Sequence, residues 1–313
     1  MTFQTFVGTQ PAPAVEGDWA SINLSHSVDA GPGGLVAGPA GVTVGRFAWT
    51  VASSLDTNNA PTLVNSFGSG PVTGFIARRQ QALITTYLAE SGMVVPSGFG
   101  VTLHSNGDFW VRNAGATQAQ LGQKAYANLL TGAVTFAATA SPSTASGSAS
   151  SVAASTFSVT GSISGNVLTV SAVTSGTAYP GATISGTGIA TGTQIVNQLS
   201  GTAGGVGTYA VSISEQTVAS TAVSGAYGTL TVGGTVAGTF VNGGLISGTG
   251  VAAGTYVTAF ITGAGGAGTY VVNNNTVVAS TAITETTNVE TKWFAVSAGL
   301  AGELVKISSY ALG

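Results

Sequence analysis

Between residues 141 and 284 the chain carries a single charged side chain, Glu215. A stretch of that length without charge cannot be a solvated helical array, whose outer faces need Lys and Glu, and its Val, Thr and Ser favour pleated strands. The stretch also repeats itself. Leu168-Thr169-Val170 returns as Leu230-Thr231-Val232, and Ile184-Ser185-Gly186-Thr187-Gly188 as Ile246-Ser247-Gly248-Thr249-Gly250, both at an offset of 62. Gly207-Thr208-Tyr209 returns as Gly268-Thr269-Tyr270 at 61, and Val218 to Ala222 as Val278 to Ala282 at 60. Each copy alternates short β-branched runs with Gly-rich turns, the spacing of a sandwich, barrel or solenoid. Thr208 to Ile213 alternates as a half-buried strand does.

Ahead of the repeats, Ala140 to Ser151 consists almost entirely of Ser, Ala, Thr and Gly, a composition that predicts a flexible linker. The flanking parts differ in kind, since they hold nearly all the charge and all four tryptophans. Val42 to Trp49, Gly74 to Arg78 and Gly100 to His104 read as strands, and residues 122–128 and 133–136 flank a Thr131-Gly132 turn as a hairpin. Residues 80–90 fit a strand slightly better than a helix. Trp293 to Val296 and Leu304 to Ile307 restore the character of the first part. The expected organisation is a single domain built from residues 1–140 plus 286–313, a linker at 141–157, and β repeats at 158–225 and 226–285. The fold class is all-β.

Chemistry is sparse. Seven basic against ten acidic residues give a net charge of −3, and no basic run exceeds Arg78-Arg79, so nucleic acid is not an expected partner. Cysteine is absent, which removes disulfides, thiolate metal sites and thiol nucleophiles. No apolar stretch is long enough for a membrane span, and the N-terminus lacks a signal-peptide pattern, so synthesis in a cytoplasm without membrane insertion is expected. His26 and His104 have no ligand-spaced partners and read as surface or turn histidines. Gly263 to Gly268 satisfies the dinucleotide pattern, but a strand rather than a helix follows it, so a hairpin turn is expected. Glu16 and Asp18 share a strand face and could pair on a cation, without a third oxygen-rich group to support them. No catalytic, cofactor-binding or metal-binding residue is expected, and an enzyme is not.

Ala12 to Ser21, Ala30 to Gly38 and Gly41 to Trp49 resemble the structural cement, or capsid decoration, proteins of tailed bacteriophages. The resemblance continues at Gln80 to Met93, Gly107-Asp108-Phe109-Trp110, Gly122 to Asn128 and Ala301 to Ser309, covering about residues 10–138 and 290–313. It implies a small β-barrel or jelly-roll-like docking domain, here interrupted by two tandem β-sandwich-like repeats that the family pattern lacks. It further implies a non-enzymatic protein on the outer surface of the virion head, with the major capsid protein and itself, as a dimer or trimer, for partners. Candidate capsid contacts are Trp19, Arg46, Trp49, Arg78, Arg79 and Trp110. An alternative makes the repeats a surface or tail adhesin holding host glycans through Tyr209, Tyr256 and Tyr270, against which stands the reading that these tyrosines cap each small core.

Overall fold

The computed structural model describes residues 14–51, 54–68, 70–79, 93–213, 216–262 and 264–310. Among these residues there is no helix, and the all-β expectation holds. The segment expected as a strand at 80–90 lies outside them.

The first body is made of short strands because Gly and Pro interrupt the chain every few residues. They are β1 (His26–Ser27), β2 (Leu35–Ala37), β3 (Val42–Thr43), β4 (Phe47–Thr50), β5 (Leu63–Asn65), β6 (Gly74–Ile76), β7 (Val94–Val95), β8 (Gly100–Val101) and β9 (Leu103–Asn106). Seven of them form one sheet in the order β1-β9-β6-β4-β5-β2-β8, while β3 pairs with β7. Then come β10 (Asp108–Arg112), β11 (Lys124–Asn128) and β12 (Val134–Ala137). The last two form the hairpin expected around Thr131-Gly132.

From there the chain enters β13 (Thr144–Gly165), a strand of 22 residues. This corrects the expectation of a flexible linker at 141–157. Small residues suit this strand because it is paired along its length, with β23 (Val278–Thr286) from Thr144 to Val152, with β18 (Gln216–Val232) from Ser151 to Gly165 and with β14 (Val167–Ser175) from Ser158 to Ser164. At Gly147 a Cβ would come within 2.8 Å of Val232 and 2.5 Å of Ser150. Low side-chain volume thus serves close packing, and not mobility.

The first repeat adds β15 (Thr183–Gly186), β16 (Ile195–Gly201) and β17 (Gly207–Val211); the second adds β19 (Val236–Ala237), β20 (Leu245–Gly248), β21 (Val257–Phe260) and β22 (Gly268–Val272). Equivalent hydrogen bonds recur in both copies. Ile184 N–H donates to Thr193 and Ile246 N–H to Thr255, each at 2.8 Å, and Gly181 donates to Ile195 as Gly243 does to Val257, each at 2.7 Å. Each copy also closes its own apolar cluster, one around Phe157, Leu168 and Tyr209, the other around Leu230, Phe240 and Tyr270. The expected boundary at 225/226 nevertheless falls inside β18, whose first half closes repeat 1 and whose second half opens repeat 2. β21 and β22 are adjacent antiparallel strands, so the glycine-rich run before Thr269 leads into a strand and offers no helix N-terminus for a phosphate.

The chain then returns through β24 (Asn288–Ala295) and β25 (Leu304–Ser308), completing a five-stranded sheet in the order β10-β25-β24-β11-β12. Its inner face supplies Phe109, Val111, Trp293, Val305 and Ile307 to a core shared with Phe47, Trp49 and Phe75 of the first sheet. Phe75 stacks on Phe109 at 4.5 Å, and Phe47 meets Trp293 at 5.1 Å. Where the chain leaves and re-enters the body, side chains lock the crossing. The Tyr126 hydroxyl lies 2.7 Å from the Ala138 carbonyl and 3.0 Å from the Glu290 carboxylate, and accepts the Ser141 N–H at 2.8 Å. Glu290 also accepts the Ala140 N–H, which with Tyr126 and Lys124 holds its carboxyl below the usual range. Asn288 accepts the Ser143 N–H at 2.8 Å.

Candidate functional site

In an extended strand alternate residues face opposite ways, so the burial of Phe109 and Val111 turns Trp110 and Arg112 outward. The same alternation in β25 turns Lys306 outward, and the register pairs Trp110 with Lys306. The ammonium sits 5.0 Å from the indole centroid, a half-buried cation–π contact. Lys124 and Lys292 are carried by β11 and β24, so all three lysines of the protein lie on this sheet. Lys292 reaches the side-chain oxygen of Asn106.

Residues 17–20 run along the free edge of β10. Gly17 N–H donates to the Trp110 carbonyl at 2.7 Å, Trp110 N–H to Asp18 at 2.9 Å, and Ala20 N–H to Asp108 at 2.9 Å. Arg78 N–H in turn donates to Gly17 at 2.7 Å, which brings the loop after β6 to the same edge. Gly17 has φ +87°, and a Cβ there would come within 2.7 Å of Val44, so this crossing of backbones admits glycine alone without strain. The geometry separates Glu16 from Asp18. Glu16 pairs with Arg112 at 3.3 Å and Asp18 with Arg78 at 3.5 Å, so neither carboxylate is left to share a cation. Among the described residues no cluster of His, Asp and Glu could hold a metal.

Trp19 lies over the edge of this body, 4.8 Å from both His104 and Phe109. His104 itself is 2 % exposed, which corrects its reading as a surface or turn histidine; His26 is exposed. Among the described residues neither ring nitrogen of His104 finds a partner, and burial, with the Arg79 charge, pushes its pKa down to about 4. At neutral pH it is therefore uncharged and meets Trp19 edge-on.

Of the six candidate capsid contacts, Trp19, Arg78 and Trp110 are brought to one edge, and Arg79 is exposed beside Arg78. Arg46 reaches back to the Thr131 carbonyl at 3.4 Å. Trp49 is a correction, because it is 4 % exposed and its indole N–H is bound to the Gly70 carbonyl. Two residues that sequence reasoning passed over belong with this edge. Ile22 and Leu24 are 104 % and 75 % exposed on a loop that Asp108 holds through Ser21 and Asn23, each at 2.6 Å. The alternation Ser21-Ile22-Asn23-Leu24-Ser25 was their signal, with both apolar groups turned to solvent instead of to a core.

Tyr209 and Tyr270 also need correction as glycan contacts. Both are wholly buried, with hydroxyls donating to Gly205 and Gly266 at 2.6 Å, so they cap their own turns. Tyr256 is half-buried and lines a groove of about 650 Å³ between the body and the two repeats.

The protein is thus an all-β body with an aromatic and basic sheet face, joined to repeats that carry only Glu215 and Glu285 as charged residues. A family model described as XM1 gp53 minor capsid protein matches residues 3–226, and the chain belongs to that family of phage capsid proteins. The match runs through the first repeat, so that repeat is part of the family pattern and not an insertion foreign to it. No curated protein and no solved structure matches the chain.

Proposed function

We propose that this protein decorates the outside of an assembled phage head and stabilises contacts between major capsid subunits. The observation that carries the reading is the outward face of the five-stranded sheet, where Trp110, Lys306 and Arg112 lie beside Trp19, Arg78 and the exposed pair Ile22 and Leu24. Aromatic and arginine side chains surrounded by apolar groups are the usual anchors of protein interfaces. Membership of a minor capsid family supports a capsid partner, and in this reading that partner is the major capsid protein, with further copies of the chain as neighbours on the lattice.

Such a protein works by mass action. It binds the assembled shell and not the separated subunits, so occupancy favours the shell, and contact with two subunits at once multiplies the effect. Arg78 and Arg112 are already matched by Asp18 and Glu16. Affinity then comes from apolar burial and close packing, and binding to purified heads is expected to persist in about 1 M salt, where screening reaches within about 3 Å. Co-sedimentation with heads across a salt series measures this. Complete release at high salt would overturn the shape-driven account, and Trp110→Ala is expected to weaken co-sedimentation by at least about tenfold, as a central anchor does.

A further inference from the structure

Glu285 occupies a position in β23 that the first repeat gives to glycine. The register pairs Ile246 with Glu285 and Ile184 with Gly225. Over Gly225 the space is filled by the Phe157 ring, which a Cβ there would approach to 2.0 Å. In the second repeat the corresponding space holds the carboxyl itself, 0 % exposed. Its Oε1 accepts the Val241 N–H at 2.8 Å, and its Oε2 has no hydrogen-bond partner among the described residues.

Among the described residues the surroundings bring no compensating cation. Across the ladders stand Ala145 of β13 and Ile246 of β20, and Gly244 lies flush against the carboxyl, where a Cβ would come within 2.0 Å of Oε1. The titratable neighbour is Tyr270 of β22, whose hydroxyl is committed to Gly266. The segment enclosing the carboxyl, Val241 to Leu245, is also where the second repeat rests on the body. Gly243 abuts Leu130, leaving 2.2 Å for a Cβ, and Leu245 packs against the core that contains Phe47 and Trp293.

We propose that Glu285 is a proton-binding site that makes the seating of the second repeat on the body depend on pH. With the carboxyl neutral, the Val241 to Leu245 segment closes over it and stays against Leu130. With the carboxyl ionised, a buried charge with one N–H partner favours opening the segment to water. Burial raises the Glu285 pKa to about 7, the Val241 N–H opposing the rise. Between its ordinary value of 4.5 and about 7 the folded chain therefore holds more protons than the unfolded one. Stability from this group falls as pH rises through that window, and the loss is complete above it.

Thermal melting of the full chain and of Glu285→Gln from pH 4.5 to 8.5 tests this. The variant is expected to match the wild type near pH 4.5 and to melt about 5 °C higher above pH 7.5. Hydrogen exchange of the wild type, corrected for intrinsic rates, is expected to accelerate at residues 241–245 by at least about tenfold between pH 5.5 and 8. Glu285→Gln is expected to lack that acceleration. A constant difference in melting temperature at all pH values, or exchange at 241–245 that does not respond to pH in the wild type, overturns the proposal. If the variant does not fold, the wild-type exchange still decides.

Discussion

At Tyr209 and Tyr270 the same hydroxyl makes the same 2.6 Å bond in each repeat, and the loss of either leaves a glycine carbonyl unpaired in a tight turn. Tyr209→Phe and Tyr270→Phe are each expected to cost about 1 kcal/mol in chemical denaturation, by similar amounts, and to leave attachment to heads unchanged. His104 gives a different kind of test. Its folded pKa is about 4 against an ordinary 6.5, so the unfolded chain binds the extra proton first, and stability is lost as pH falls from 6.5 toward 4. The loss is on the order of 3 kcal/mol. Because neither ring nitrogen is bonded among the described residues, His104→Leu is expected to fold at neutral pH and to lose much of this acid sensitivity, as melts at pH 7 and 4.5 would show. The burial of His104 was not legible in the sequence. Its partners, Trp19 and Phe109, are brought to it by the edge segment at 17–20 and by β10, and nothing in the local pattern around residue 104 announces either.

The alternation of β-branched residues and glycine turns made several strands readable, including the hairpin at 124–137 and the late strands around Trp293 and Ile307, but Val42 to Trp49, expected as one strand, is divided by a turn into β3 and β4 on separate sheets. Pairing was not readable. The tract at 144–157 reads as a linker because Ser, Ala and Gly signal mobility when nothing packs on them, and its role is visible only once β23 pairs with its first part and β18 with its second. Likewise, two sequence repeats suggested two modules, whereas one strand serves both. Ser224 of β18 pairs with Ser158 of β13 and also with Ser185 of β15. Ser224→Pro removes a ladder N–H in the middle of this ribbon and is expected to cost about 3 kcal/mol or more. Calorimetry is expected to show both repeats destabilised together. A second repeat that melts unchanged would mean that the long strands do not couple the copies.

For the whole molecule, the uneven distribution of charge in the sequence did carry information about the site. Lys124, Lys292, Lys306 and Arg112 all lie on strands of the five-stranded sheet, while the described part of the repeat region presents Thr, Ser and small apolar groups. What the sequence could not place was the meeting of residues 17–20, 78 and 108–112 on one edge, which depends on backbone hydrogen bonds between segments about 60 to 90 positions apart. In the proposed arrangement this edge and sheet face grip the shell. Difference imaging of heads with and without the protein tests it most directly: the account expects added density on the outer surface, spanning junctions between capsid subunits, with the Trp110 face of the sheet against the shell. Identical particles, or density in which the repeats contact the shell while that face points to solvent, would contradict it.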